Sequence, residues 1–243
     1  GTSSMDGHDS QHWMNTSTVH HVNGPWKWLV KPAGVPVFPP HADPDGPCVL
    51  SWLRSNHPAV AKEFPSGFED GIAHRLDVST SGLIVVADTP ASLQSLRDSF
   101  ANGLLTKRYL FVSSKEVPWS EHHVTTPIAH HKTQRRAMTV QRGKNTPHRG
   151  KWYPADTRFR RIKGDLWEAI ITTGVMHQIR VHAASVGLAL AGDRLYGGGT
   201  LNNPSAPPNT QFQLHHTEIR GPVTGLPDLA CPPLAPPAWW ELQ

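Results

Sequence analysis

Residues 81–87 (SGLIVVA) form an unbroken apolar, β-branched run of strand length. A run of that kind belongs inside a sheet, and the residues after it mark the start of a helix. Thr89 and Pro90 supply an N-cap and a first helical residue. Leu93, Leu96 and Phe100 then recur at helical spacing, and Gly103 stands where a helix stops. Further strand signals fall at 26–30 (WKWLV), 106–113 (TKRYLFVS), 136–140, 155–162, 166–172 (LWEAIIT) and 211–219 (QFQLHHTEI). Helices are expected only at 48–57, after Pro90 and at about 175–186, and a loop, RGKNTPHRGKWYP, separates 136–140 from 155–162. Strands outnumber helices and are often joined by loops, so the expected class is α+β with a mixed, mostly antiparallel sheet rather than a doubly wound one.

No internal repeat and no linker divides the 243 residues, which suits one domain. Residues 1–22 are polar, aperiodic and free of Lys and Arg, and are expected to be a disordered leader or residues left over from expression. The folded domain is placed at 23–243. The Pro-rich tail around CPPLAPPAWW is expected to pack over the surface. No stretch of 18 apolar residues exists, which excludes a transmembrane helix. Two distant cysteines, Cys48 and Cys231, exclude a disulfide-dense scaffold and any CxxC zinc site, and point to a reducing, cytoplasmic compartment.

Charge is unevenly distributed. Residues 131–163 carry eleven Lys and Arg against one acid, Asp156, while the rest of the chain is net acidic. A basic stripe on such a body is the footprint of a polyanion binder; the alternative is a merely solvated cationic face.

Two stretches carry chemistry. In GIAHRLDVSTSGLIVVAD (71–88), Asp77 sits in a polar loop entering the apolar strand, with Ser79, Thr80 and Ser81 placed to hydrogen-bond the loop and fix the carboxylate. In TTGVMHQIRVHAASVGLALAGDRLYGG (172–198), His177 and Arg180 share a helix face near its start, where donors and positive charge suit an anion. Sixteen histidines include four adjacent pairs, but neighbours on a strand point to opposite faces and no HExxH occurs, so no metal site is expected. The residues after Asp77 lack the second aspartate of a phosphatase DxDx motif.

HRLDVSTSGLIVVAD resembles the motif around the catalytic aspartate of the RluA-type family of RNA pseudouridine synthases. KPAG at 31–34, KRYL at 107–110, HQIRVH at 177–182, AGDRLYG at 191–197 and PVTG near 222 resemble further motifs of that family, in the same order. The resemblance covers about residues 24–240 and implies a pseudouridine synthase fold: a central sheet in two halves, flanking helices and a catalytic cleft. It implies Asp77 as the essential carboxylate, Tyr109 against the target uracil and Arg180 paired with Asp77, favouring the anion. Arg75 would help expel the target nucleotide or fill its place, and Ile179 would pack on the base. Lys31, His74, Leu76, Thr80, His177 and Gln178 complete the implied substrate-binding set.

The implied reaction breaks the N1–C1′ bond of uridine, turns the uracil and joins C5 to C1′, with no net redox change and no donated group. No cofactor and no metal is therefore expected, in keeping with the absence of P-loop and dinucleotide motifs. The carboxylate would serve as nucleophile at C1′ or as base on the sugar. The target must first leave its stack, so phosphate contacts from 131–163 and aromatic stacking have to offset a few kcal/mol. The expected partner is RNA, tRNA or rRNA, met by a monomer with no membrane association. Gly174-Val175-Met176 departs from the family's Gly-Arg-Thr and removes a positive charge beside the site. No S4-like RNA-binding module is expected before KPAG, and the chain resembles the single-domain members. The rival reading is a catalytically silent RNA-binding protein on the same fold.

Overall fold

A computed structural model describes residues 18–56 and 64–242. The main sheet contains β1 (Val19–Asn23), β2 (Trp26–Lys31), β3 (Thr80–Ala87), β4 (Thr106–Val112) and β5 (Glu121–Val124). A small sheet is built from β6 (Ile128–His130), β7 (Met138–Val140) and β8 (Arg149–Tyr153), and β9 (Thr157–Lys163), β10 (Leu166–Ile171), β11 (Leu214–Val223) and β12 (Leu226–Leu229) return to the main one. The described α-helices are α1 (Val49–Asn56), α2 (Pro90–Ala101) and α3 (Gln178–Ser185).

Strand order in the main sheet is β1-β2-β3-β11-β4-β10-β9-β5, with β12 added to β11. Every pairing is antiparallel except β3 with β11. That parallel seam divides the sheet into two halves, and the fold is α+β as the strand-rich pattern predicts.

β3 is buried at every position. Leu83, Val85 and Ala87 meet Trp26, Trp28 and α2 residues Leu93 and Leu96 on one side. Ile84 and Val86 turn to the other side and join Leu50, Trp52 and Leu53 of α1, Tyr109, Phe111, and Ile179 and Ala183 of α3. Helices on both faces explain why β3 is apolar without alternation; burying each large side chain contributes about 1.5–3 kcal/mol. α2 starts where expected. The Thr89 side chain accepts from Ser92 N and Ser92 Oγ accepts from Thr89 N, each at 3.1 Å, a reciprocal cap.

Several expectations need correction. β1 begins at Val19, so four residues assigned to the leader lie in the sheet, where the His21 ring rests 5.3 Å from Trp28. Residues 1–17 of that leader, and His57 at the expected end of α1, lie outside the described residues. Residues 149–153, expected in a loop, form β8. It pairs its backbone with β6 and buries little, so it leaves no hydrophobic period to detect. β5, β6 and β12 are three or four residues long and equally silent in sequence. α3 starts at Gln178, not 175, because His177 adopts a left-handed conformation (φ 58°, ψ 20°) that no α-helix continues through.

Candidate active site

The Asp77 loop is tied down from two directions. Thr80 N–H donates to Asp77 O at 3.0 Å, closing a turn directly before β3. Val78 O accepts from Gly34 N–H at 2.7 Å and from Lys31 Nζ at 3.1 Å. The KPAG glycine is required there: Gly34 has φ +90°, and a Cβ would lie 2.1 Å from Pro208 O. The hydroxyls expected to fix the carboxylate act elsewhere. Ser79 Oγ accepts from Gln211 N–H, and Ser81 Oγ bonds His215 Nδ1 at 2.8 Å. They fasten the loop to the segment that becomes β11.

Arg180 projects from the first turn of α3 into this loop. Its Nη1 donates to Asp77 Oδ2 at 3.2 Å. Its Nε and Nη2 donate to Asp193 Oδ2 and Oδ1, both at 2.9 Å, a two-pronged grip. The guanidinium lies 4.5 Å from the Phe212 ring centroid and 5.2 Å from that of Tyr196. Burial opposes its charge, yet the bonds and charge of Asp193 and the charge of Asp77 raise its pKa. Among the described residues no partner takes Asp77 Oδ1, and the Asp77 side chain is 38% exposed against 7% for Arg180. One carboxylate oxygen is therefore held by Arg180 while the other is without a partner among the described residues.

Four further groups feel the Asp77 charge. Lys31 is fully buried and donates to the carbonyls of Pro32, Val35 and Val78, three acceptors for the three N–H of an ammonium. Burial pulls its pKa down to about 7, with Asp77 opposing. Burial raises the Tyr109 phenol above its ordinary range and Asp77 adds to the shift, so the hydroxyl stays protonated. His177 is lowered by burial and then by Arg180. Its Nδ1 bonds the Tyr196 hydroxyl at 2.7 Å, and that hydroxyl accepts from Met138 N–H of β7. Burial pushes Tyr196 up to about 12. Tyr196 thus pins the small sheet to the mouth of the site.

The structure brings Asp77, Arg180, Tyr109, Lys31 and His177 together, and turns other expected substrate contacts inward. The Gln178 amide has all its capacity used: it donates to Asp156 O and Thr157 Oγ1 and accepts from Thr173 Oγ1 and Val175 N–H. His74 Nε2 accepts from Val85 N–H. Leu76 and Ile179 are core side chains, and Thr80 is buried at the start of β3. Each lies within three residues of Asp77 or Arg180 in sequence, yet its side chain is taken up by contacts inside the protein. Arg75 is exposed, with its guanidinium 5.7 Å from the Phe38 ring. Asp193, Tyr196 and Phe212 carry no role in the sequence reading. The first two sit inside the AGDRLYG stretch, so the signal was present without its geometry.

The basic segment splits between the sheets. Arg135, Arg136, Arg142, Lys144, Arg149 and Lys151 are exposed on and around the small sheet, with His130 opposite Arg149. That sheet packs on Val181 of α3 through Ile128, Met138 and Val140. Arg160 of β9 is instead paired with Glu168, which also binds Arg108. Among the described residues no helix is long and apolar enough to cross a membrane.

Comparison with known proteins gives the same picture. The chain is 35% identical over 205 residues to ribosomal large subunit pseudouridine synthase D of Zymomonas mobilis, covering 80% of this chain and 62% of that protein. It is 36% identical over 172 residues to the synthase D of Haemophilus ducreyi, covering 69% of this chain and 49% of that one. The chain thus spans about half to three fifths of the length of the curated relatives it matches. The fold matches human RNA pseudouridylate synthase domain containing 4, with a TM-score of 0.66 at 19% identity over 98% of this chain and 94% of that one. Human RNA pseudouridylate synthase domain containing 1 gives 0.65 at 21% identity over 88% of this chain and 82% of that one. The family model for RNA pseudouridylate synthases covers residues 28–185, and with the ordered motifs around Asp77, Tyr109 and Arg180 it follows that the chain belongs to the RluA-type RNA pseudouridine synthase family.

Proposed function

We propose that the protein isomerises uridine to pseudouridine in structured RNA, rRNA or tRNA, using the Asp77 carboxylate. The observation that carries this reading is the half-exposed carboxylate with Oδ2 held by the buried Arg180 and Oδ1 without a protein partner among the described residues. A carboxylate so placed serves as nucleophile at C1′ or as base on the sugar. The reaction balances without a co-reactant: the N1–C1′ bond breaks, C5–C1′ forms, C5 loses a proton and N1 gains one. The protonated Tyr109 hydroxyl suits contact with the uracil. Arg75, exposed beside Asp77, suits the space the flipped base leaves. The exposed arginines and lysines of the small sheet suit the phosphates, and Tyr196 ties that sheet to the site. The Zymomonas and Haemophilus relatives are named for the large ribosomal subunit, which supports rRNA over tRNA. The protein acts as a monomer in the cytoplasm on this reading.

The test is pseudouridine mapping in bulk rRNA and tRNA treated with wild-type protein and with Asp77→Asn. The wild type converts one or a few uridines, and the variant converts none while it melts and binds RNA as the wild type does. Wild-type turnover by Asp77→Asn removes the carboxylate from the chemistry. RNA binding by the wild type with no pseudouridine formed supports the silent RNA-binding alternative.

A further inference from the structure

We propose that His216 is a positioning residue: its imidazole joins the strand leaving the Asp77 loop to the ring of Tyr109 and holds the two halves of the site at a set spacing. The inference rests on the function proposed above. The seam between the halves is short. β11 pairs with β3 only from Leu214 opposite Thr80 to His216 opposite Gly82. The backbones come so close that a Cβ on Gly82, at φ +121°, would lie 2.3 Å from His216 O. Beyond Gly82 the strands part, and the segment leading to Asp77 takes over the free side of β3. Ile72 bridges Val86, and Ala73 N–H donates to Val85 O.

Two backbone groups of β3 fall in the fork, Leu83 O and Val85 N–H. Left unpaired in this buried strand they would oppose folding. Two imidazoles satisfy them. His216 Nδ1 bonds Leu83 O at 2.7 Å, which makes Nδ1 the protonated nitrogen, and His74 Nε2 accepts from Val85 N–H at 3.0 Å. The rings meet edge to face, with centroids 5.5 Å apart at 88°. His74 lies three residues before Asp77, so the root of the catalytic loop is anchored in the same fork.

The face of His216 carries the Tyr109 ring, with centroids 4.6 Å apart and planes inclined by 23°. Register makes this contact decisive. Tyr109 stands opposite His216 on β11 and opposite Ala169 on β10. Alanine offers no ring, so His216 is the flat surface that sets the plane of Tyr109. His216 has no exposed surface, and burial pushes it down to about 3, so it remains a neutral plate. A tilt of Tyr109 would tilt the uracil it contacts relative to Asp77.

The experiment compares wild type with His216→Ala, His216→Asn and His216→Phe on a uridine that the wild type converts. It reads kcat and KM separately, and it tracks the ring signals of Tyr109, Tyr153 and Tyr196 by NMR in tyrosine-labelled protein. Asn keeps a donor near Leu83 O without the ring; Phe keeps the ring without the donor. Positioning predicts that Ala and Asn lose roughly ten- to a hundredfold in kcat at unchanged KM. It also predicts that the Tyr109 signals move while those of Tyr153 stay, and that Phe restores both kcat and the Tyr109 signals. If Ala does not fold, the Asn and Phe pair decides. Wild-type kcat in His216→Asn, or a folded His216→Phe that restores nothing, overturns the proposal. A wild type inactive on every RNA tested defeats the function reading instead. The NMR arm still judges this one, since unmoved Tyr109 signals in His216→Asn refute it without any turnover.

Discussion

Arg180 holds two carboxylates, and their burial separates stability from chemistry. The Asp193 side chain is 1% exposed and takes two guanidinium bonds at 2.9 Å; Asp77 is 38% exposed and takes one at 3.2 Å. Changing Asp193→Asn removes a charge from a site water does not reach. One oxygen becomes an NH2 group facing a guanidinium N–H, so one bond turns into a donor–donor clash and Arg180 loses its buried counter-charge. Breaking such a pair costs about 3–5 kcal/mol. For a domain of this size that lowers Tm by roughly 6–20 °C, out of a total stability of about 5–15 kcal/mol. The Asp77 contact is partly solvated, where such pairs contribute about 0–1 kcal/mol, so Asp77→Asn should shift Tm by no more than about 4 °C. Calorimetry on both variants and the wild type reads the difference directly. Activity should show the reverse order: Asp77→Asn inactive, Asp193→Asn folded at about 20 °C but reduced roughly ten- to a hundredfold, since Arg180 no longer has a fixed base. Equal melting of the two variants, or a larger loss in Asp77→Asn, would refute the division of roles.

Acid should unfold the protein through its buried histidines. Burial holds His215 at about 4 and His216 at about 3, both below the ordinary 6.5. The unfolded chain therefore binds more protons than the native one below about pH 6.5, and the stability these residues contribute is complete above that pH and lost as pH falls toward the native values. The loss is on the order of 5 kcal/mol for the pair, read from urea melts between about pH 4 and pH 7; a flat profile would show that water reaches these rings. Changing Lys31→Met leaves the Pro32 and Val35 carbonyls without their donor and Val78 O with Gly34 N–H alone, at about 1–3 kcal/mol for each group left unsatisfied. Because Val78 adjoins Asp77, kcat should fall with Tm, and a variant that loses stability but keeps wild-type kcat would detach Lys31 from the loop's geometry. Reversing Arg142, Lys144 and Arg149 to Glu should weaken RNA binding and flatten its salt dependence by about one unit of slope for each phosphate no longer neutralised. A slope unchanged in the triple variant would move the RNA path off the small sheet.

Some of this architecture is legible along the chain because local physics writes it there. The apolar run 81–87, the Thr89 cap and the Leu93–Leu96–Phe100 spacing are each set by residues close in sequence, and β3 and α2 appear where that pattern puts them. The ordered motifs likewise bring forward Asp77, Tyr109 and Arg180, and Arg180 does reach Asp77 across 103 positions. β8 was hidden because it is held by backbone pairing rather than by a buried face, and β1 because its partner, β2, lies beyond a turn.

Which side chains of a motif face the cleft was decided by the tertiary structure alone. Gln178 and Arg180 are two residues apart, yet one amide is saturated inside the protein while the neighbouring guanidinium reaches the Asp77 loop. Helix phase separates them, but only the packing of α3 against β9 says which direction is inward. The same holds for Asp193 under Arg180 and His216 under Tyr109. Each meets its partner because strand order sets β11 between β3 and β4 and turns the residues after α3 back beneath it. A residue's type and spacing state which contacts it is able to make; the long-range closure of the sheet chooses among them.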